Sequence, residues 1–226
     1  YTTDKNQKDK KIIAENVINY RNIQNEGLIY TDKDKNDYRA LFFENDAILP
    51  LGNTTKMTAA NDTLTILYSD KDGGIYSLPL ASKEPSKIGV SSNLASLDKV
   101  TNDGAIAVWT EKEKTSTGRY STKYSYTIRL SENGETEVLG SFDSSKSDTS
   151  IDISSSKDDK LFTILSTKSS ELFIKRPGES TIKVPLGANP TNYAIRTENG
   201  YLHDENADKV KTIYAATNNE KTSSLY

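Results

Sequence analysis

The sequence contains no cysteine, and that absence removes disulfides, thiolate metal sites and cysteine nucleophiles together. Histidine occurs once, at His203, so zinc would need carboxylates for its remaining ligands and a Ser-His-Asp hydrolase would have to use that residue. No G-x-S-x-G elbow is present to supply such a hydrolase with its serine. Long apolar runs are missing too: AIAVW at 105–109 is among the longest, about a quarter of a membrane span. No signal peptide is readable, and any attachment to a membrane is expected through sequence outside these residues. Neither sign of charge dominates, with 29 Lys and Arg against 32 Asp and Glu. The charges are interspersed, so nothing draws the chain to nucleic acid or to an anionic bilayer.

Hydrophobic residues make up only 34% of the 226 positions, a composition that suits short strands joined by polar turns better than thick helices. What is present is a repeat, and internal repetition decides the fold before any other signal. An apolar residue precedes glycine at the end of each unit: ILPLG ends at Gly52, PSKIG at Gly89, TEVLG at Gly140 and KVPLG at Gly187, and SSLY closes the chain at Tyr226. Within each unit the same order recurs. A polar strand such as INYRNI (18–23) or ASLDKV (95–100) is followed by an apolar run, GLIY (27–30), LTILY (64–68), AIAVW (105–109), LFTIL (161–165) or GYLH (200–203). After a polar hairpin comes a second run, such as YRALFF (38–43) or SYTIRL (125–130), then a turn and a short last strand. The runs are β-branched and aromatic and bounded by turn formers, which is the strand signature.

Four strands per unit of roughly 40 residues is the arithmetic of a β-propeller blade. The predicted fold is all-β: one propeller domain with a half blade at 1–16 and full blades at 17–52, 53–89, 90–140, 141–187 and 188–226. The half blade aligns YTTDKNQKDKKIIAEN (1–16) with the back half of the last unit, YAATNNEKTSSLY (214–226). A six-bladed ring is the expectation.

Two hairpins invite a calcium reading, YTDKDKNDY (30–38) and YSDKDGGIY (68–76). Asp32, Asp34 and Asn36 stand at the first, third and fifth positions of an oxygen-ligand loop. The sixth position is Asp37 where glycine is needed, however, and the twelfth is Phe43 rather than a bidentate glutamate. Asp70 and Asp72 could form a looser site, but Lys33, Lys35 and Lys71 supply counter-charges. Both stretches read as turns of the repeat, and no metal or cofactor is expected.

Over YSDKDGGIYSLPLASKEPSKIG (68–89) the chain resembles the TolB-type propeller repeat, with its S-D-x-D-G hairpin, I-Y strand and proline-containing ending. YTDKDKNDYRALFF matches that pattern in part, and the other units keep only the strand order. The sequence is also similar to propeller domains of Firmicutes surface proteins. Cysteine avoidance together with Lys/Asn/Ile/Tyr-rich usage agrees with a Gram-positive, extracytoplasmic protein. The resemblance implies a scaffold that presents loops and binds something.

The third unit departs from the others by a long hairpin, TEKEKTSTGRYSTKYSY (110–126). Hairpins at this place emerge on the face where propellers of this type commonly bind ligands. Arg119, Tyr120, Lys123 and Tyr124 would make a cationic and aromatic patch suited to a protein or glycan partner; the plainer alternative is a disordered polar loop. Trp109, the only tryptophan, belongs by default to the packing between blades, with a place at the mouth of the patch as its second reading. No sialidase-type box is present, so a carboxylate glycosidase or lyase remains the competing class, testable through inner-strand acids such as Asp98, Asp152 and Glu198. The leading expectation is a non-enzymatic binding or sensory domain; a third is a spacer module in a longer surface protein.

Overall fold

The computed structural model describes residues 14–23, 26–33, 37–52, 54–60, 63–117, 122–144, 151–156, 158–186, 190–197, 200–202, 210–219 and 222–225. Every regular element among them is a β-strand, so none is a helix long and apolar enough to cross a membrane. The first sheet is β1 (Val17–Ile23), β2 (Gly27–Asp32), β3 (Asp37–Phe42) and β4 (Ala47–Gly52); the second is β5 (Thr54–Ala60), β6 (Thr63–Ser69), β7 (Gly74–Pro79) and β8 (Ser86–Val90). The third holds β9 (Leu94–Val100), β10 (Ile106–Thr117), β11 (Thr122–Glu132) and β12 (Glu135–Ser144). The fourth holds β13 (Ile151–Ser155), β14 (Phe162–Ser166), β15 (Glu171–Lys175) and β16 (Ile182–Pro185). The last comprises β17 (Pro190–Thr197), β18 (Gly200–Tyr201), β19 (Val210–Asn219) and β20 (Thr222–Leu225).

The first four sheets are antiparallel meanders in chain order. A four-stranded meander cannot bury its two faces alone, so the sheets stack, and the core lies between neighbours rather than within any one sheet. Ile29, Ala40 and Leu51 of the first sheet meet Ile66, Tyr68 and Leu78 of the second. Leu67, Ile75 and Ile88 continue into Leu97, Val100 and Trp109. Val108, Tyr126 and Phe142 pack on Phe162, Ile164 and Phe173, and Leu161, Leu165 and Leu172 on Ile195 and Leu202. The fold is a β-propeller, with five four-stranded sheets among the described residues. The half blade expected at 1–16 falls mostly on residues 1–13, outside the described residues.

The apolar-glycine ending now has a physical cause at Gly52, Gly89 and Gly140, each of which stands against the next sheet; Gly187 lies outside the described residues. A Cβ on Gly52 would lie 1.9 Å from the Ser69 carbonyl oxygen, one on Gly89 would lie 2.7 Å from Cη2 of Trp109, and one on Gly140 3.0 Å from Cζ of Phe173. Any side chain there would hold the sheets apart.

The last sheet departs from the expected order. GYLH was expected as its second strand, but only Gly200 and Tyr201 are extended, and β17 pairs directly with β19, Ile195 opposite Ile213. The run is too short and is followed by polar DENADK at 204–209. It turns back tightly on β17, Thr197 opposite Gly200, and leaves that strand's other edge to the longer β19.

Candidate functional site

Meander topology sorts the connections onto two faces. Turns between first and second, and between third and fourth, strands of a sheet emerge on one face; the hairpins between second and third strands emerge on the other, with the links from sheet to sheet.

On the turn face one motif is built twice. In TNDGAI (101–106) the Thr101 hydroxyl donates to Asp103 (2.5 Å) and accepts from the Ile106 N–H (3.0 Å). In SKDDKL (156–161) Ser156 donates to Asp158 (2.9 Å) and accepts from the Leu161 N–H (3.0 Å). The fourth residue of each turn has positive φ, Gly104 at 75° and Asp159 at 55°. Aspartate tolerates that conformation better than most residues, and here it gains a partner. Both the backbone N–H and the side-chain amide of Asn102 donate to Asp159 Oδ2, at 2.9 and 2.6 Å. The Thr65 hydroxyl in turn donates to the Asn102 carbonyl, so three sheets are linked across this face. Burial pushes the Asp159 carboxyl above its ordinary range, over the opposing effects of the Asn102 N–H and the Lys99 charge.

Between the third and fourth sheets this face also holds a cleft of about 860 Å³, whose lining includes Asp103, Glu132, Glu135, Glu137, Lys175 and Glu179. Its acids are partly neutralised. Lys175, only 5% exposed, pairs with Glu132 at 2.7 Å, and Glu132 also accepts from the Gly178 N–H at 2.6 Å. Burial alone would raise the Glu132 carboxyl, but the Lys175 hydrogen bond, the Gly178 N–H and the Lys175 charge outweigh it and hold it below the usual range. Arg176 pairs with Glu179 at 2.6 Å and Thr181 donates to Glu137 at 2.5 Å. The Lys175–Glu132, Gly178–Glu132 and Thr181–Glu137 contacts fasten the third sheet to the fourth, and Arg176–Glu179 closes a turn within the fourth.

On the hairpin face Asp70 is used by its own turn. Its Oδ1 accepts from the Asp72 and Gly74 N–H groups at 2.9 and 2.8 Å. Burial would raise its carboxyl, but the Gly74 N–H, the Tyr76 hydroxyl, the Asp72 N–H and the Lys87 charge together lower it. Tyr68 and Tyr76 stack at 5.2 Å, and burial, with Tyr76 and Asp70 nearby, pushes the Tyr68 hydroxyl up to about 12. The tyrosines bracketing YSDKDGGIY thus clamp a hairpin. Asp34 and Asn36 lie outside the described residues, and no three His, Asp or Glu side chains among the described ones converge on a common point.

The long hairpin of the third sheet is a ribbon. β10 and β11 stay paired from Ile106 opposite Glu132 to Thr117 opposite Thr122, with a bulge between Lys114 and Ser116. β12 accompanies them as far as Ser144 opposite Tyr124, whereas β9 stops at Leu94 opposite Glu111. Lys112 stands opposite Tyr126 and Lys114 opposite Tyr124, so these four share one face. Lys112 lies 4.0 Å above the Tyr124 ring, a cation–π contact, and Tyr126 stacks on Phe142 at 5.2 Å. The reverse face carries Glu111 and Glu113, opposite Thr127 and Ser125, with Asp143 beside Ser125. Glu111 is neutralised by Arg129 at 2.9 Å; Glu113 is exposed.

Of the residues expected in the patch, Lys123 is exposed on β11 and Tyr124 is half-buried under Lys112. Arg119 and Tyr120 lie outside the described residues, as do His203 and Glu198. Trp109 is 0% exposed, packed at Gly89 with its indole N–H 3.5 Å from Glu111. The placement of Trp109 at the patch is therefore corrected: its large apolar ring fills the seam between the second and third sheets and presents nothing to a partner. Asp98 accepts from the Thr110 hydroxyl at 2.7 Å, and Asp152 is exposed on β13. Lys112, Lys114 and Glu113 were missed as site residues, although EKEK (111–114) facing KYSY (123–126) carries the signal as strict alternation of sign and polarity.

No protein-family model matches the chain, and no curated protein matches it in sequence. Among solved structures, the tricorn protease is similar with a TM-score of 0.46 at 10% identity, over 89% of this chain and 23% of that one. An acylaminoacyl peptidase from Pyrococcus horikoshii gives 0.39 at 12% identity, over 93% and 44%. Hsv2 from Kluyveromyces lactis gives 0.42 at 13% identity, over 93% and 72%. The chain spans less than half the length of either peptidase.

Proposed function

We propose that this chain is a TolB-type propeller acting as a non-enzymatic, extracytoplasmic binding domain, and that the ribbon of its third sheet is the surface offered to a protein partner. The observation that carries the reading is the ribbon itself. Strands β10 and β11 continue beyond the end of β9, remain paired, and set Lys112 and Lys114 with Tyr124 and Tyr126 on one face and Glu111 and Glu113 on the other. Core packing accounts for Tyr126 and Phe142 at the ribbon's base but not for the exposed stretch from Glu113 to Ser116. Lys114 is exposed on the face of the tyrosine pair and Lys123 is exposed on the face of Ser125, a mixture of cation and aromatic surface that suits a protein interface. The TolB-type assignment draws on the 68–89 motif, and the extracytoplasmic one on the cysteine-free composition.

The test is site-specific photo-crosslinking in the native host, with the crosslinker at Lys123 on the ribbon or at Lys160 on the turn face. A single partner enriched about tenfold from position 123 and lost in a Lys114→Glu, Tyr124→Ala variant is expected. Equal capture from both faces, or capture that survives the variant, overturns the reading.

A further inference from the structure

Strand β10 has a neighbour on each side only as far as Glu111, where β9 ends; the last contact on that side is the Lys112 N–H donating to the Asn93 carbonyl at 2.8 Å. Beyond it β10 is held by β11 alone up to Thr117. Glu113, Lys114, Thr115 and Ser116 are all exposed, and no described strand pairs with this stretch on that side. It is an open strand edge above the link between the second and third sheets. An exposed edge presents unpaired N–H and C=O groups that accept another strand.

Charge decides which strand. Lys112 and Lys114 point to one face with Tyr124 and Tyr126, while Glu111 and Glu113 point to the other. A second copy is a poor occupant. Two β10 edges paired antiparallel about a twofold axis perpendicular to the sheet bring together residues that share a face. No register then sets lysine against glutamate, and those centred on Glu113 or Lys114 set like charges directly opposite each other, which is destabilising. A strand with the opposite alternation meets the reverse situation: acids beside Lys112 and Lys114, bases beside Glu113, and its own backbone completing the ladder.

Resting on the ribbon being the binding surface, we infer that the partner is captured by strand addition to the β10 edge at residues 113–117, as an extended segment alternating acidic and basic side chains. Backbone pairing supplies the affinity, and the alternation fixes register and direction.

The probe is a fluorescent synthetic peptide alternating glutamate and lysine, measured by anisotropy against the full chain at low salt. Two controls share its composition: a block isomer with the glutamates first, and the alternating peptide N-methylated throughout. The alternating peptide should bind about tenfold more tightly than either control, and a Lys112→Glu, Lys114→Glu variant should lose that preference. Amide exchange should slow at 113–117. Equal binding of the N-methylated peptide overturns strand addition, as does equal binding of the block isomer or dimerisation of the chain through this edge. If the crosslinked partner persists in the wild type while the peptide fails, strand addition falls and the ribbon reading stands; failure of the wild type to capture any partner from position 123 overturns the ribbon reading itself.

Discussion

Asn102 gives both its backbone N–H and its side-chain amide to one oxygen of Asp159, across 57 positions of sequence and from one sheet to the next. The same aspartate occupies a left-handed position that glycine fills in the equivalent turn one sheet earlier. Asp159→Gly therefore relieves the backbone but removes the acceptor, whereas Asn102→Ala removes one donor and keeps the turn. Each should destabilise the chain by about 1–3 kcal/mol, and the double variant by less than their sum, because both break one contact. Urea melts of the two single variants and the double variant measure this. Additive losses would mean that the two residues act separately.

Glu132 and Asp159 both serve the seam between the third and fourth sheets, yet they respond to pH in opposite directions. Glu132 is held below the ordinary glutamate range in the folded chain, so its contribution is present at neutral pH and disappears as pH falls through that lowered value. Asp159 is raised; its contribution is full below the ordinary aspartate range and declines as pH rises through the raised value. Stability of the wild type relative to Glu132→Gln should shrink toward acid, and relative to Asp159→Asn it should shrink toward neutral pH. Glu132→Gln also strands the buried Lys175 ammonium and should cost about 3 kcal/mol near neutrality. Parallel pH series of chemical melts would expose any shared direction.

Gly89 and Trp109 make the seam between the second and third sheets. Gly89→Ala places a methyl against the indole at a distance ordinary contacts do not reach, and should cost about 1–3 kcal/mol through overpacking. Trp109→Phe on the same background should recover part of that loss. Since this is the only tryptophan, a red shift of its emission in Gly89→Ala reports the seam opening directly.

The sequence carried the strands because each is a β-branched or aromatic run between turn formers, and it carried the repeat because four of the five full units end on an apolar residue and glycine. It could not reveal why the glycine is there, since the cause lies in the following unit: the Ser69 carbonyl at Gly52, the Trp109 ring at Gly89 and the Phe173 ring at Gly140. The last sheet was misread for a related reason. GYLH looks like its counterparts, but its extended part is two residues, and partner choice depends on the length of β19. In the candidate site, Lys123 and Tyr124 were legible from the excess length of one hairpin. Lys112 and Lys114 become visible only when β10 is laid against β11, because sharing a face is a property of the register.

Replacing residues 114–124 by Asn-Gly would join Glu113 to Ser125 through a two-residue hairpin turn, which matches the twist of an antiparallel pair. Those two residues already stand opposite each other, so the ladder below them closes without strain. The stacked pair Tyr126 and Phe142, with the core they share with Phe162 and Phe173, is left in place. The shortened chain should keep its stability within about 2 kcal/mol, because Lys114, Thr115, Ser116 and Lys123 are exposed and surface changes of that kind cost little, while the half-buried Tyr124 gives up a contact at the edge of the core. It should lose the crosslinked partner completely. A chain that unfolds when shortened would show the ribbon to be part of the core, and one that still binds would move the interface elsewhere on the propeller. Thermal melts and the crosslinking assay on the same preparation separate the two outcomes.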